Sequence, residues 1–197
     1  DLIQEWEGGV VSVHSIQREM DWFDNPIETT GQYSGVVIAR TRGEILILVP
    51  DEAVATADSI EVSFSDGTIL PGAVKQKDSV AGMALVSVNG AQMEDRQYDH
   101  VKAIALGNSY SVKQGDLVAA IGSPAGVTGS SGYGFISYVV RSAKAVDGST
   151  RIFYTDTPGD ARAGTFLLNT DGELIGWAAE GYSPDDSGRM TSVMSVS

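Results

Sequence analysis

Residues 34–48, SGVVIARTRGEILIL, and residues 163–177, AGTFLLNTDGELIGW, align without a gap. Gly35 meets Gly164, Thr41 meets Thr170, Gly43-Glu44 meets Gly172-Glu173, and the apolar positions coincide. Each copy reads as a strand, a tight turn and a strand, with a turn glycine free to take positive φ. Two explanations fit. Two hairpins share one hairpin grammar, or the chain holds two related β-lobes, one in each half.

The rest of the chain follows the same β pattern. Short Val/Ile/Phe-rich runs predict strands at 10–13, 35–39, 44–49, 59–64, 83–88, 117–121, 134–140, 151–155, 165–168 and 174–178. Ser65-Asp66-Gly67 and Thr170-Asp171-Gly172 are hairpin turns by composition. Residues 19–31 and 184–189 read as polar loops, and only 51–57, DEAVATA, reads as a short helix. Many short strands at near-regular spacing point to a sandwich or a barrel.

Composition narrows the function classes. The 197 residues carry 13 Lys plus Arg against 26 Asp plus Glu, a net charge of −13 that disfavours nucleic acid and anionic lipid as partners. There is no cysteine, which excludes disulfides, Cys-ligated metals and a cysteine nucleophile. No apolar run reaches the roughly 18 residues of a membrane span, and the first residues given do not read as a signal peptide. The abrupt ends, Asp1-Leu2-Ile3 and Val196-Ser197, read as those of a fragment of something longer.

The order of segments resembles the HtrA/Deg family of bacterial trypsin-like serine proteases. GQYSGVVIARTRGEILI (31–47) is similar to that family's Gly-Ser-Gly strand and hairpin. IEVSFSDGTILPGAVKQKDSVAGMALVSV (60–88) is similar to the stretch leading to its catalytic Asp, and LGNSYSVKQGDLVAAIGSPAG (106–126) to its entry into the second lobe. YTDTPGDARAGTFLLNTDGELIG (154–176) is similar to its nucleophile loop and following hairpin. The resemblance implies an all-β, chymotrypsin/trypsin-like double β-barrel of two six-stranded antiparallel barrels. Residues 1–99 would form the first lobe and 100–197 the second, together one domain.

All three positions that the resemblance assigns to the catalytic triad are substituted. The His position falls on Pro50, the Asp position on Gly82 and the nucleophile on Ala163, in a loop one residue short. None of these side chains can attack, accept a proton or orient a base. His14, in a strand pattern, and His100, in the crossing between lobes, read as structural. The oxyanion loop, Ala161-Arg162-Ala163, has alanine where the family's geometry leans on glycine, while Asp160 and Arg162 read as a surface ion pair. An alanine at a nucleophile position alone would suggest deliberate inactivation. Three losses together read as native drift.

The expected activity is therefore that of a catalytically inactive homologue, a pseudoprotease serving as a peptide-binding, scaffolding or regulatory module. The alternative is an active serine-type peptidase with non-standard residues. The resemblance implies a peptide or protein segment as partner, bound as an added strand along Gly176-Trp177-Ala178-Ala179, with Phe166 narrowing the entrance. It also implies a homo-oligomer, a trimer anchored by Trp6, and an extracytoplasmic, envelope-associated or secreted bacterial setting. No cofactor and no metal are expected, since two scattered histidines give no ligand spacing. Glu94-Asp95 and Asp185-Asp186 read as solvated loop charge, and SSGYGF (130–135) as a rim turn. Trp22-Phe23 either anchor a partner or fold back over a barrel end.

Overall fold

The computed structural model describes residues 2–145, 148–182 and 191–195. The expected loop 184–189, with Asp185-Asp186, and the terminal residues 1 and 196–197 lie outside them. Six strands form a first closed barrel: β1 (Val10–Met20), β2 (Pro26–Arg40), β3 (Ile45–Pro50), β4 (Ser59–Ser63), β5 (Ile69–Asp78) and β6 (Met83–Val88). Six more form a second: β7 (Leu117–Gly122), β8 (Ser130–Ala145), β9 (Gly148–Thr155), β10 (Thr165–Leu168), β11 (Leu174–Ala178) and β12 (Thr191–Ser195). This is the double barrel expected from the sequence. Short helices α1 (Leu2–Trp6), α2 (Glu52–Ala55) and α3 (Asp95–His100) complete it. The expected lobe boundary at 99/100 falls in the last turn of α3.

The first ring runs β1-β2-β3-β6-β5-β4 and the second, read from β7, runs β7-β8-β9-β12-β11-β10. The two barrels therefore share one strand order. The sequence repeat does not follow that equivalence. It matches β2–β3 to β10–β11, whereas the topological counterpart of β10–β11 is β4–β5. The repeat reflects a shared environment, since both hairpins face the core between the barrels. Val36, Ile38 and Leu48 meet Phe166, Leu168, Leu174 and Trp177 there, with Met83, Ile104, Ala119 and Ile121. Each hairpin also breaks register, but on opposite strands: Ile38 of β2 is the extra residue in one and Ile175 of β11 in the other. Separate clusters, including Val13, Ile47 and Val86 in one barrel and Phe153, Leu167 and Ile175 in the other, fill the interiors.

Three expectations are corrected. Residues 19–31 are not a loop: β1 and β2 continue as one long hairpin with pairs out to Met20 and Pro26. Asp21 locks its tip, accepting from the Phe23 and Asn25 N–H groups at 2.8 Å. The bonds from the Asn25 backbone and side chain, with that from Phe23, hold the Asp21 carboxyl below the usual range. Trp22 and Phe23 do not fold back over a barrel end; they stand 95% and 81% exposed at that tip. Residues 130–135 are not a rim turn but the start of β8, paired with β7. β5 and β12, unforeseen in the sequence, close the two rings.

Candidate functional site

The mouth between the barrels is assembled from three chain segments. Pro50 ends β3, and its buried ring lies against Gly164, where Cγ would stand 3.1 Å from an added Cβ. The next residue, Asp51, donates its N–H to the Gly82 carbonyl at 3.0 Å. The Ser34 N–H reaches the Ala163 carbonyl at 2.7 Å. The structure thus brings Pro50, Gly82 and Ala163 to one place. Beneath them the Ser34 and Ser123 hydroxyls, both fully buried, share a 2.7 Å hydrogen bond across the two barrels.

The backbone at the mouth is shaped by two tight turns. Gly82 has φ +68°, a left-handed conformation reached through a turn in which Asp78 Oδ1 accepts from the Val80 and Ala81 N–H groups. Around Ala163 the chain closes into a tight turn. Asp160 Oδ1 accepts from the Arg162 N–H at 3.0 Å and the Ala163 N–H at 2.9 Å, and the Asp160 carbonyl accepts from Gly164. The Thr165 hydroxyl fastens the base of the turn by bonding both the N–H and the carbonyl of Asp160. An oxyanion hole needs N–H groups aimed at an incoming oxygen. Here the donors of residues 162–164 are spent inside the turn.

The cleft beside this turn has a volume of about 220 Å³. Asp51, Glu52, Gly82, Arg162, Ala178 and Glu180 contribute to its lining. Arg162 does not pair with Asp160 as expected. Its Nε reaches Glu180 Oε1 at 3.0 Å, and Glu180, Glu52 and Asp160 together raise the guanidinium further above its usual range. Asp160 is instead the cap of the turn.

The expected peptide edge is shorter than the sequence suggested. Gly176 and Trp177 are paired on both sides, with Leu167 and Phe166 of β10 and with Ser195 and Met194 of β12, so no further strand can add there. Ala178 is paired with Val193, lies past the end of the β10 ladder, and lines the cleft with Ala179. Trp177 sends its indole N–H to the Ala81 carbonyl at 2.9 Å and so clamps the Gly82 turn. Phe166 does not narrow an entrance; it is fully buried in the inter-barrel core.

The remaining candidates lie away from the cleft. His14 is half-buried in β1 opposite Gln32 and Glu61, and His100 is exposed at the end of α3. Glu94 caps α3, and Asp95 pairs with Arg42. Trp6 packs on its own chain, its indole lying where a side chain at Gly172 would have to go. Among the described residues no group of His, Asp and Glu could hold a metal, and no helix is long and apolar enough to cross a membrane.

Sequence reasoning puts Glu180 and Asp160 on an acidic cleft rim that favours basic or neutral peptides; it missed that Asp160 caps the turn and that Glu180 holds Arg162. The available signal was the Asp-x-Arg-Ala spacing, which suits a side chain capping the N–H groups two and three residues on.

Residues 33–176 match the family described as "Trypsin-like peptidase domain". The chain is 28% identical over 204 residues to the "Serine protease Do-like HtrA" of Bacillus subtilis, covering 94% of this chain and 43% of that protein. It is 29% identical over 153 residues to the "Periplasmic serine endoprotease DegP" of Salmonella typhimurium, covering 77% and 30%. The chain thus spans less than half the length of these curated relatives. In architecture it is similar to the structure described as "HtrA-type protease AlgW with decapeptide", with TM-score 0.75 at 19% identity, covering 99% of this chain and 63% of that one.

Proposed function

This chain belongs to the trypsin-like peptidase family, of the HtrA/Deg-like kind, and we propose that within it the chain binds peptide segments without cleaving them. One observation carries this reading. Where the family resemblance places nucleophile, base and orienting acid, the chain has Ala163, Pro50 and Gly82, and the Ala163 N–H that would face an oxyanion is held by Asp160. Acyl transfer without a nucleophile, a base or an open oxyanion hole has no source of rate beyond positioning.

Binding needs none of those groups. An extended segment can lie in the cleft between the Gly82 turn and Ala178-Ala179, with main-chain contacts supplying affinity. The short edge leaves a small surplus over the cost of ordering a peptide, so affinity is in the micromolar range, about 10⁻⁵ M. The periplasmic relatives suggest an extracytoplasmic, envelope-associated or secreted setting for this chain. A trimer built through Trp6 would have only the outer face of the indole to offer, because the inner face covers Gly172.

The experiment is calorimetric titration with extended peptides of about eight residues, long enough to span a cleft edge, followed by mass spectrometry of the peptide after overnight incubation. Saturable binding with the peptide intact is the expected result. Cleavage products would favour a peptidase with non-standard residues, and absence of any binding would move the functional surface elsewhere.

A further inference from the structure

The cleft has a charge pattern that peptide binding alone does not require. Asp51, Glu52 and Glu180 bring three carboxylates to a space of about 220 Å³, and Arg162 brings the single guanidinium. That guanidinium is already seated on Glu180, with Glu52 close enough to stabilise its charge. The Asp51 and Glu52 carboxylates have no hydrogen-bond or ion-pair partner among the described residues. The space is below the roughly 300 Å³ at which whole small-molecule sites begin, so it suits one long side chain of a ligand.

We propose that the cleft selects a peptide carrying a basic side chain, and that Arg162 sits in its cation subsite until that side chain displaces it. The proposal rests on the peptide-binding reading above and names the ligand class for that same site. The cleft is not only a cluster of acids. It is a cavity lined by the functional group it would recognise, supplied by the turn beside it. Asp160 fixes the backbone of Arg162 through the 3.0 Å bond to its N–H, so the side chain swings from a rigid base. Arg162 is 69% exposed and Glu180 64%, so the pair is weak enough to exchange with a ligand guanidinium. Its exchange releases Arg162 to solvent and leaves Glu180 and Glu52 around the incoming cation.

The test uses three peptides that differ at one central residue: arginine, its neutral isostere citrulline, and glutamate. Each is titrated calorimetrically into the wild-type chain, Arg162→Ala, and the double variant Glu52→Gln/Glu180→Gln. The arginine peptide is expected to bind Arg162→Ala about three- to fivefold tighter than wild type, the size of one exposed ion pair. It should bind the double variant about tenfold weaker than Arg162→Ala, with the difference shrinking at about 0.5 M salt. The citrulline peptide should bind all three proteins alike, and the glutamate peptide least. If the citrulline and arginine peptides bind equally, or Arg162→Ala gains nothing, the cation subsite is overturned while peptide binding stands. If no peptide binds any of the three proteins, both readings fall.

Discussion

The core between the barrels and the mouth above it lie one residue apart in sequence and obey different rules. At the core, Gly164 sits at φ +101°, where an added Cβ would stand 2.5 Å from the Ser34 carbonyl oxygen, and Phe166 is fully buried. At the mouth, Ala163 is half-exposed, and the turn that carries it is satisfied by its own Asp160. Packing fixes the first region so closely that hardly any other residue fits. The second is fixed by hydrogen bonds within one turn and makes no demand for a nucleophile. The packing of a trypsin-like scaffold therefore places no demand on the residue type at 163, because different residues hold the core and the mouth.

The contrast can be broken or sharpened by substitution. Phe166→Ala removes a ring from the joint core and should cost about 3–5 kcal/mol in urea unfolding. A loss below about 1 kcal/mol would mean that the barrels do not depend on this interface. Gly164→Ala should cost about 2 kcal/mol or more, through its left-handed backbone and the clash with Ser34. Ala163→Ser, its neighbour, should change stability by no more than about 0.5 kcal/mol. If the two neighbours responded alike, core and mouth would not be separate regions.

A smaller effect links the cleft to the first barrel. Burial, and then the nearby Glu52 carboxylate, push the Tyr33 hydroxyl above its usual range. A group whose folded pKa is raised adds stability below its unfolded pKa and loses it as pH rises through the folded value. Stability should therefore fall above about pH 10. Glu52→Gln should move the Tyr33 ionisation, followed by ultraviolet absorbance, to lower pH. An unchanged titration would show that Glu52 is not felt at Tyr33.

How much of the molecule was legible in the sequence depends on what held each part. Strands such as Ile45–Pro50 and Thr165–Leu168 announce themselves because one or both faces are buried. β5 hides because most of Ile69–Asp78 is exposed, so no alternation survives, and Pro71 and Gly72 read as a break. The outer half of the β1–β2 hairpin hides for the same reason: residues 22–30 are all exposed. At the site, the residue types at 50, 82 and 163 were plain. The Arg162–Glu180 pair was not, because it joins a turn to a segment 18 residues on, past the end of β11. Nor was the two-sided pairing of Gly176 and Trp177, which depends on β12.

The most direct measurement is labelling by a serine-reactive fluorophosphonate probe, with casein digestion run alongside, on the wild-type chain and on Ala163→Ser. Neither protein should be labelled or should digest casein, because a serine restored at 163 still has Pro50 and Gly82 beside it and Asp160 on its N–H. Covalent labelling of the wild-type chain at any serine, together with loss of casein, would contradict a cleft that binds without cutting.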